Sequence, residues 1–127
     1  MKKKIKIAVI SMLLAIAVFI AAYIGWYVYE TEYKLTLTAT EISPDGKYTA
    51  TLHMVGCPEW PFGDTTVRVT IKKKGSWKKT EVIEADIYDD GASLREDNWE
   101  VVWQDSSVTI ILRGCEQRDE VYTVTLQ

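Results

Sequence analysis

The chain has 127 residues, 47% of them hydrophobic and 26% charged, with a formal net charge of −3. That composition allows one modest domain and excludes both a disordered tail and a wholly membrane-embedded protein. Four of the fifteen Lys and Arg fall within residues 1–6, so residues 30–127 carry 11 basic against 18 acidic side chains, a net of −7, which excludes non-specific nucleic-acid binding because that needs a basic surface.

Lys2, Lys3, Lys4 and Lys6 form a basic cap over residues 1–6. From Ile7 to Tyr29 there follow 23 consecutive residues without a charge, rich in Ile, Ala, Leu and Val. About 20 such residues in a helix span the roughly 30 Å hydrocarbon core of a bilayer. The spacing therefore predicts one transmembrane helix over residues 7–29. Positive charge ahead of it holds the N-terminus in the cytoplasm, and Tyr23, Trp26, Tyr27 and Tyr29 suit the far headgroup layer. The competing expectation is a cleaved signal peptide. Cutting after Ala17 leaves a very short apolar region, and cutting after Ala22 leaves an apolar stub, so an uncleaved signal anchor is the expectation. Ala8, Ala15 and Ala22 repeat at heptad spacing and would permit close helix approach, which keeps a structural role through the anchor open.

After the anchor the pattern changes to alternation. Tyr33, Leu35, Leu37 and Ala39 alternate with Lys and Thr, Ser43-Pro44-Asp45-Gly46 carries turn chemistry, and Tyr48, Ala50, Leu52 and Met54 alternate again. Residues 33–55 thus predict a hairpin. A Pro- and Gly-containing loop follows to Thr65, then a strand with Val67, Val69 and Ile71. Lys74-Gly75-Ser76 turns it into a strand over residues 80–89. The polar stretch 90–98 predicts a loop with a short helical turn. Trp99, Val101 and Trp103 alternate, as do Val108, Ile110 and Leu112, and residues 121–126 close the chain. About seven short strands predict an all-β outward domain over residues 30–127, a small antiparallel β-sandwich or curled sheet.

Cys57 and Cys115 are the only cysteines. An even count outside the cytoplasm, each after a Gly at a strand end, predicts a disulfide, with two separate inert thiols as the alternative. Closing that 59-residue loop would stabilise by about 4 kcal/mol on the chain-entropy model. His53, Cys57 and Cys115 match no strong zinc spacing, so no metal is expected. Asp86, Asp89, Asp90, Glu96 and Asp97 crowd around Gly91 without the order of an EF-hand, and are read as a solvated loop. No nucleophile elbow, Walker sequence, zincin motif or dinucleotide fingerprint occurs, so neither catalysis nor a cofactor is expected.

Two features suit binding. The loop Gly56-Cys57-Pro58-Glu59-Trp60-Pro61-Phe62-Gly63 either folds Trp60 and Phe62 back over one end of the core or presents them to a ligand. Lys72, Lys73, Lys74, Lys78 and Lys79 surround a hairpin turn that also holds Trp77. They suit an anionic polymer or lipid surface, and they equally protect an edge from aggregation.

Ile42-Ser43-Pro44-Asp45-Gly46-Lys47-Tyr48, then Pro58-Glu59-Trp60-Pro61-Phe62-Gly63, then Asp89 to Leu94, then Asn98-Trp99-Glu100-Val101-Val102-Trp103 resemble a family of small, uncharacterised Gram-positive bacterial proteins. The resemblance covers roughly residues 42–126. It implies one N-terminal membrane segment and a short β-rich domain, and it carries over no activity and no catalytic residues. A Gram-positive origin would also make the disulfide less expected. Together these readings predict a membrane-tethered interaction module for an envelope polymer or a membrane-protein partner. A small envelope hydrolase or hydrolase inhibitor, and an accessory subunit assembled through its helix, are the alternatives.

Overall fold

The computed structural model describes residues 1–58 and 63–126. The first element is α1, Lys2–Val28, and every residue of it is exposed. At 1.5 Å per residue its 27 residues reach about 40 Å. It is long and apolar enough to cross a membrane. It does not stop at Tyr29 as the charge pattern suggests. Residues Tyr29–Tyr33 continue it as one π-helical turn, closed by the Lys34 amide donating to the Tyr29 carbonyl at 2.8 Å. The Thr31 hydroxyl donates back to the Tyr27 carbonyl at 2.9 Å, and Lys34 pairs with Glu30 at 3.1 Å across the same turn. Such local bonding competes with regular helix geometry and favours a bend where the chain must change direction.

Seven strands follow: β1 Leu35–Ile42, β2 Tyr48–Val55, β3 Thr65–Lys73, β4 Lys79–Ile87, β5 Trp99–Trp103, β6 Ser107–Leu112 and β7 Glu120–Thr125. They form two antiparallel meanders, one in the order β1-β2-β3-β4 and one in the order β5-β6-β7. The expected seven-stranded sandwich is therefore present, joined to a long helix, so the whole chain is not all-β. The β1–β2 turn is built as its residues suggest. Asp45 accepts from the Ser43 hydroxyl at 2.6 Å and the Lys47 amide at 2.9 Å, while Gly46 takes a φ of 73°. A short 3-10 turn, Glu96–Asn98, leads into β5.

The core lies between the sheets. Tyr48, Ala50 and Leu52 from β2, Val67, Val69 and Ile71 from β3, and Ile83 and Ile87 from β4 meet Trp99, Val108, Ile110 and Leu112. Each set alternates at period 2, as burying one face of a strand requires. One strand departs from the expected pattern. Tyr33 belongs to the π turn, and the register of β1 slips between Leu37 and Ala39. Before that bulge Leu35 and Leu37 pair with Val55 and His53 on the outer face; after it Ala39 pairs with the buried Leu52. One extra residue reverses which face the side chains occupy. Leu35 and Leu37 are consequently exposed, whereas Ala39 packs on the core.

Candidate functional site

The lysine-rich turn forms because Gly75 supplies a φ of 79° and Ser76 closes the hairpin. The Ser76 amide donates to the Lys73 carbonyl at 3.1 Å, and the Lys78 amide donates to the Ser76 hydroxyl at 3.2 Å. The Lys74 amide donates to the Lys47 carbonyl at 2.7 Å, which docks this turn onto the β1–β2 turn. Lys72, Lys73, Lys74, Lys78 and Lys79 are all exposed. Trp77 is 84% exposed, with the Lys78 ammonium 5.6 Å from its ring centroid. That is within reach of a cation–π contact, which holds the indole at the surface beside positive charge. Lys72 and Lys79 are cross-strand partners. Like charges placed opposite one another destabilise a sheet, so this arrangement costs stability rather than supplying it.

The turn lies at one end of the sandwich and the end of α1 at the other. The Gly56 amide donates to the Lys34 carbonyl at 2.7 Å, and the Cys57 amide to the Thr31 carbonyl at 3.0 Å. These bonds fasten the end of β2 to the π turn. Since β3 starts beside that end and Ile87 pairs with Thr65, the β3–β4 turn is a full strand length away. Nine residues of β3 span about 30 Å. The lysines therefore stand at the far tip of the sandwich, away from the helix end. Next to the turn is a hollow of about 530 Å³ edged by Tyr48, Lys73, Lys78, Lys79 and Glu81.

The other singled-out residues fare differently. Trp60 and Phe62 lie outside the described residues; their described flanks, Cys57-Pro58 and Gly63-Asp64, belong to the helix end of the sandwich. The expected bridge between Cys57 and Cys115 is not formed. Both thiols are free and exposed, and the backbone of each is bonded to a different neighbour. Cys57 is tied to Thr31, and the Cys115 amide donates to the Asp89 carboxylate at 3.0 Å.

The acidic loop is organised by a single buried polar side chain. Asn98 is 3% exposed; its amide nitrogen donates to Asp89 at 3.3 Å and to the Arg113 carbonyl at 2.9 Å, and its oxygen accepts from the Arg95 amide at 2.7 Å. The Asp89 carboxyl is held below its ordinary value chiefly by the Cys115 amide, with help from Asn98 and Arg95 and against the effect of burial. This cluster ties the β4–β5 connection to the β6–β7 connection. Among the described residues no group of three or more His, Cys, Asp or Glu could hold a metal ion. An Asn between two loops of polar residues leaves no periodic signal, which is why only the fold reveals it.

His53 faces outward between Leu37 and Arg68 and is half-buried, rather than open to solvent as a lone strand histidine would be. Its Nδ1 atom is buried and has no hydrogen-bond partner among the described residues. Comparison with protein-family models, with known proteins and with solved structures found no match to this chain.

Proposed function

We propose that this chain is a membrane-tethered interaction module. In this reading residues 7–29 cross the cytoplasmic membrane with the N-terminus inside, and the β domain stands outside, presenting its lysine and Trp77 tip to an anionic component of the cell envelope. The observation that carries it is the position of Trp77. A large apolar ring is 84% exposed among five lysines, at the end of the sandwich farthest from the anchor. Burial of such a ring against a partner is favourable, and lysines around it supply attraction to negative charge. The like-charge pair Lys72 and Lys79 is tolerated at a cost to folding, which suits a surface kept for contact rather than for stability.

The test uses the full-length chain in vesicles of zwitterionic lipid, mixed with a purified anionic envelope polymer and floated on a density gradient. Polymer should travel with the vesicles, and do so less as salt rises. Trp77→Ala and the combined Lys78→Gln and Lys79→Gln change should each reduce the captured polymer several-fold while the β-sheet circular dichroism stays unchanged. Capture indifferent to these changes, or no capture at all, would overturn the reading. Orientation is tested separately. Cys57 and Cys115 are exposed, so a membrane-impermeant maleimide should label them on intact cells.

A further inference from the structure

The two sheets are unequal, and the shortfall lies on one side. Three strands cover four. The flank between β1 and β5 has a groove of about 300 Å³, whereas that between β4 and β7 has one of about 630 Å³. On the larger side Ile83, Tyr122 and Val124, which belong to the core or pack against it, line the groove wall. Glu81, whose side chain shares the inner face of β4 with Ile83, is exposed.

β7 is the terminal strand of its sheet, and its free edge can be read from the register. The Leu126 amide donates to the Ser106 carbonyl at 2.7 Å. Because hydrogen-bonding direction alternates along a strand, Val124, Tyr122 and Glu120 also point their backbone groups at β6. The N–H and C=O groups of Val121, Thr123 and Thr125 therefore point away from the sheet, beside the groove.

The four terminal strands are not equally protected. β1 carries a bulge and Glu41, β4 carries Glu81, Glu84 and Asp86, and β5 carries Glu100 at its second position. β7 reads Glu-Val-Tyr-Thr-Val-Thr, with no charge, Pro or Gly after its first residue. Natural edges are usually blunted by such devices, and one left bare offers a row of donors and acceptors to another strand.

The groove also has a charged end. It runs into the hollow at the tip, with Thr80, Glu81 and Thr125 common to both, and there Lys73, Lys78 and Lys79 are exposed. We infer that this edge takes up an extended segment of a partner protein as a fourth strand of the β5-β6-β7 sheet. The segment runs antiparallel to β7, with acidic residues at its N-terminal end over the lysines. Its alternate apolar side chains cover Ile83, Tyr122 and Val124. A single strand fits better than a second copy of the domain, because β4 flanks the site and would meet the neighbouring sheet of a whole sandwich. Strand addition of this kind draws affinity from main-chain bonds and specificity from alternate side chains. The inference goes beyond the anionic-polymer reading and shares with it only the lysines.

The test uses the full-length chain in zwitterionic vesicles and a fluorescein-labelled synthetic peptide, glutamates followed by alternating Thr and Val. Saturable binding is expected, weakened about tenfold when the glutamates become lysines and about tenfold by Thr123→Pro. Proline there removes an outward N–H and leaves the ladder to β6 intact. On the wild-type chain, bound peptide should slow hydrogen exchange at the amides of Val121, Thr123 and Thr125. Binding that leaves those amides unprotected, or that survives Thr123→Pro in full, overturns the inference, as does failure of the peptide to bind. Trp77→Ala separates the two proposals, since it should release the polymer and leave the peptide bound.

Discussion

Gly56 and Thr31 meet backbone to backbone, so closely that a Cβ on Gly56 would overlap the Thr31 carbonyl. Gly56 also has a φ of 68°, a region that other L-residues rarely enter. Two independent reasons thus require glycine where the sandwich is fastened to the helical segment. The bonds from Gly56 to Lys34 and from Cys57 to Thr31 depend on that approach. Gly56→Ala should break them and cost about 2 kcal/mol, combining backbone strain with a steric clash. Faster hydrogen exchange at the Gly56-equivalent and Cys57 amides, with the β3 and β6 amides unchanged, would show a joint that loosens while the sandwich survives. Unchanged exchange at both amides would mean the joint does not rely on this contact.

His53 should make the domain less stable in mild acid. Its protonation is disfavoured first by burial and then by the positive charges of Arg68 and Lys79. Arg68 is itself paired with Glu84, on the same outer face. The folded-state value therefore lies below the unfolded value of about 6.5. As pH falls through about 6.5 the unfolded chain takes up a proton and the folded chain does not, so stability declines until pH drops below the folded value. His53→Leu should remove this loss, and it adds apolar contact beside Leu37. Urea midpoints of the two proteins should diverge as pH falls from 8 through about 6.5. Parallel curves would show that His53 is not the group responsible.

Much of this architecture is legible in the residues because alternation is a direct consequence of burying one face of a strand. Val67, Val69 and Ile71 are core for the same reason that they alternate, and Ser43 to Gly46 turn because Asp45 and Gly46 bring their own local geometry. The lysine tip is legible because its members are contiguous in sequence. Leu35 and Leu37 are the counterexample. They share parity with Ala39, and nothing in Leu-Thr-Leu-Thr-Ala marks the extra residue that turns them outward. A bulge without Gly or Pro is set by the neighbouring strand, not by its own side chains. The thiols fail for a related reason. A Gly before each Cys at a strand end suggests proximity, but pairing depends on where two separate loops are fastened. Thr31 and Asp89, which fasten them, stand far away in sequence.

Asn98 is the residue on which the helix-side loops turn, and its removal should be costly. Its side chain satisfies the Arg95 amide and the Arg113 carbonyl and contacts Asp89, all in a site where it is 3% exposed. Asn98→Ala takes the side-chain partner from the Arg95 amide and the Arg113 carbonyl in a part-buried site, which should destabilise the domain by about 1–3 kcal/mol. Asn98→Asp keeps the shape and sets a second carboxylate beside Asp89, so it should be at least as damaging at neutral pH and partly recover in acid. Thermal unfolding of both variants at pH 7 and pH 4 decides this, with reference carboxylate values near 4. A loss under about 0.5 kcal/mol for Asn98→Ala would show that water replaces the side chain without penalty.

Asp89 links acid stability to thiol chemistry through one carboxylate. Its folded-state value is depressed, so the stability it contributes is complete above the unfolded value of about 3.9 and is lost as pH falls through the folded value. Its side chain is only 10% exposed, so solvent screens the interaction little. The same carboxylate raises the Cys115 thiol, first through their side-chain hydrogen bond and further by burial and by its negative charge. Asp89→Asn should therefore do two things at once. It should flatten the acid limb of the stability curve, and it should speed alkylation of Cys115 by iodoacetamide near neutral pH, because more thiolate is present. Cys57, exposed and held by Thr31 instead, supplies an internal reference whose rate should not change. Peptide mapping of the alkylated chain resolves the two sites. If both cysteines accelerate together, the variant has loosened the helix-side loops as a whole, and the specific bond between Asp89 and Cys115 is not what restrains the thiol.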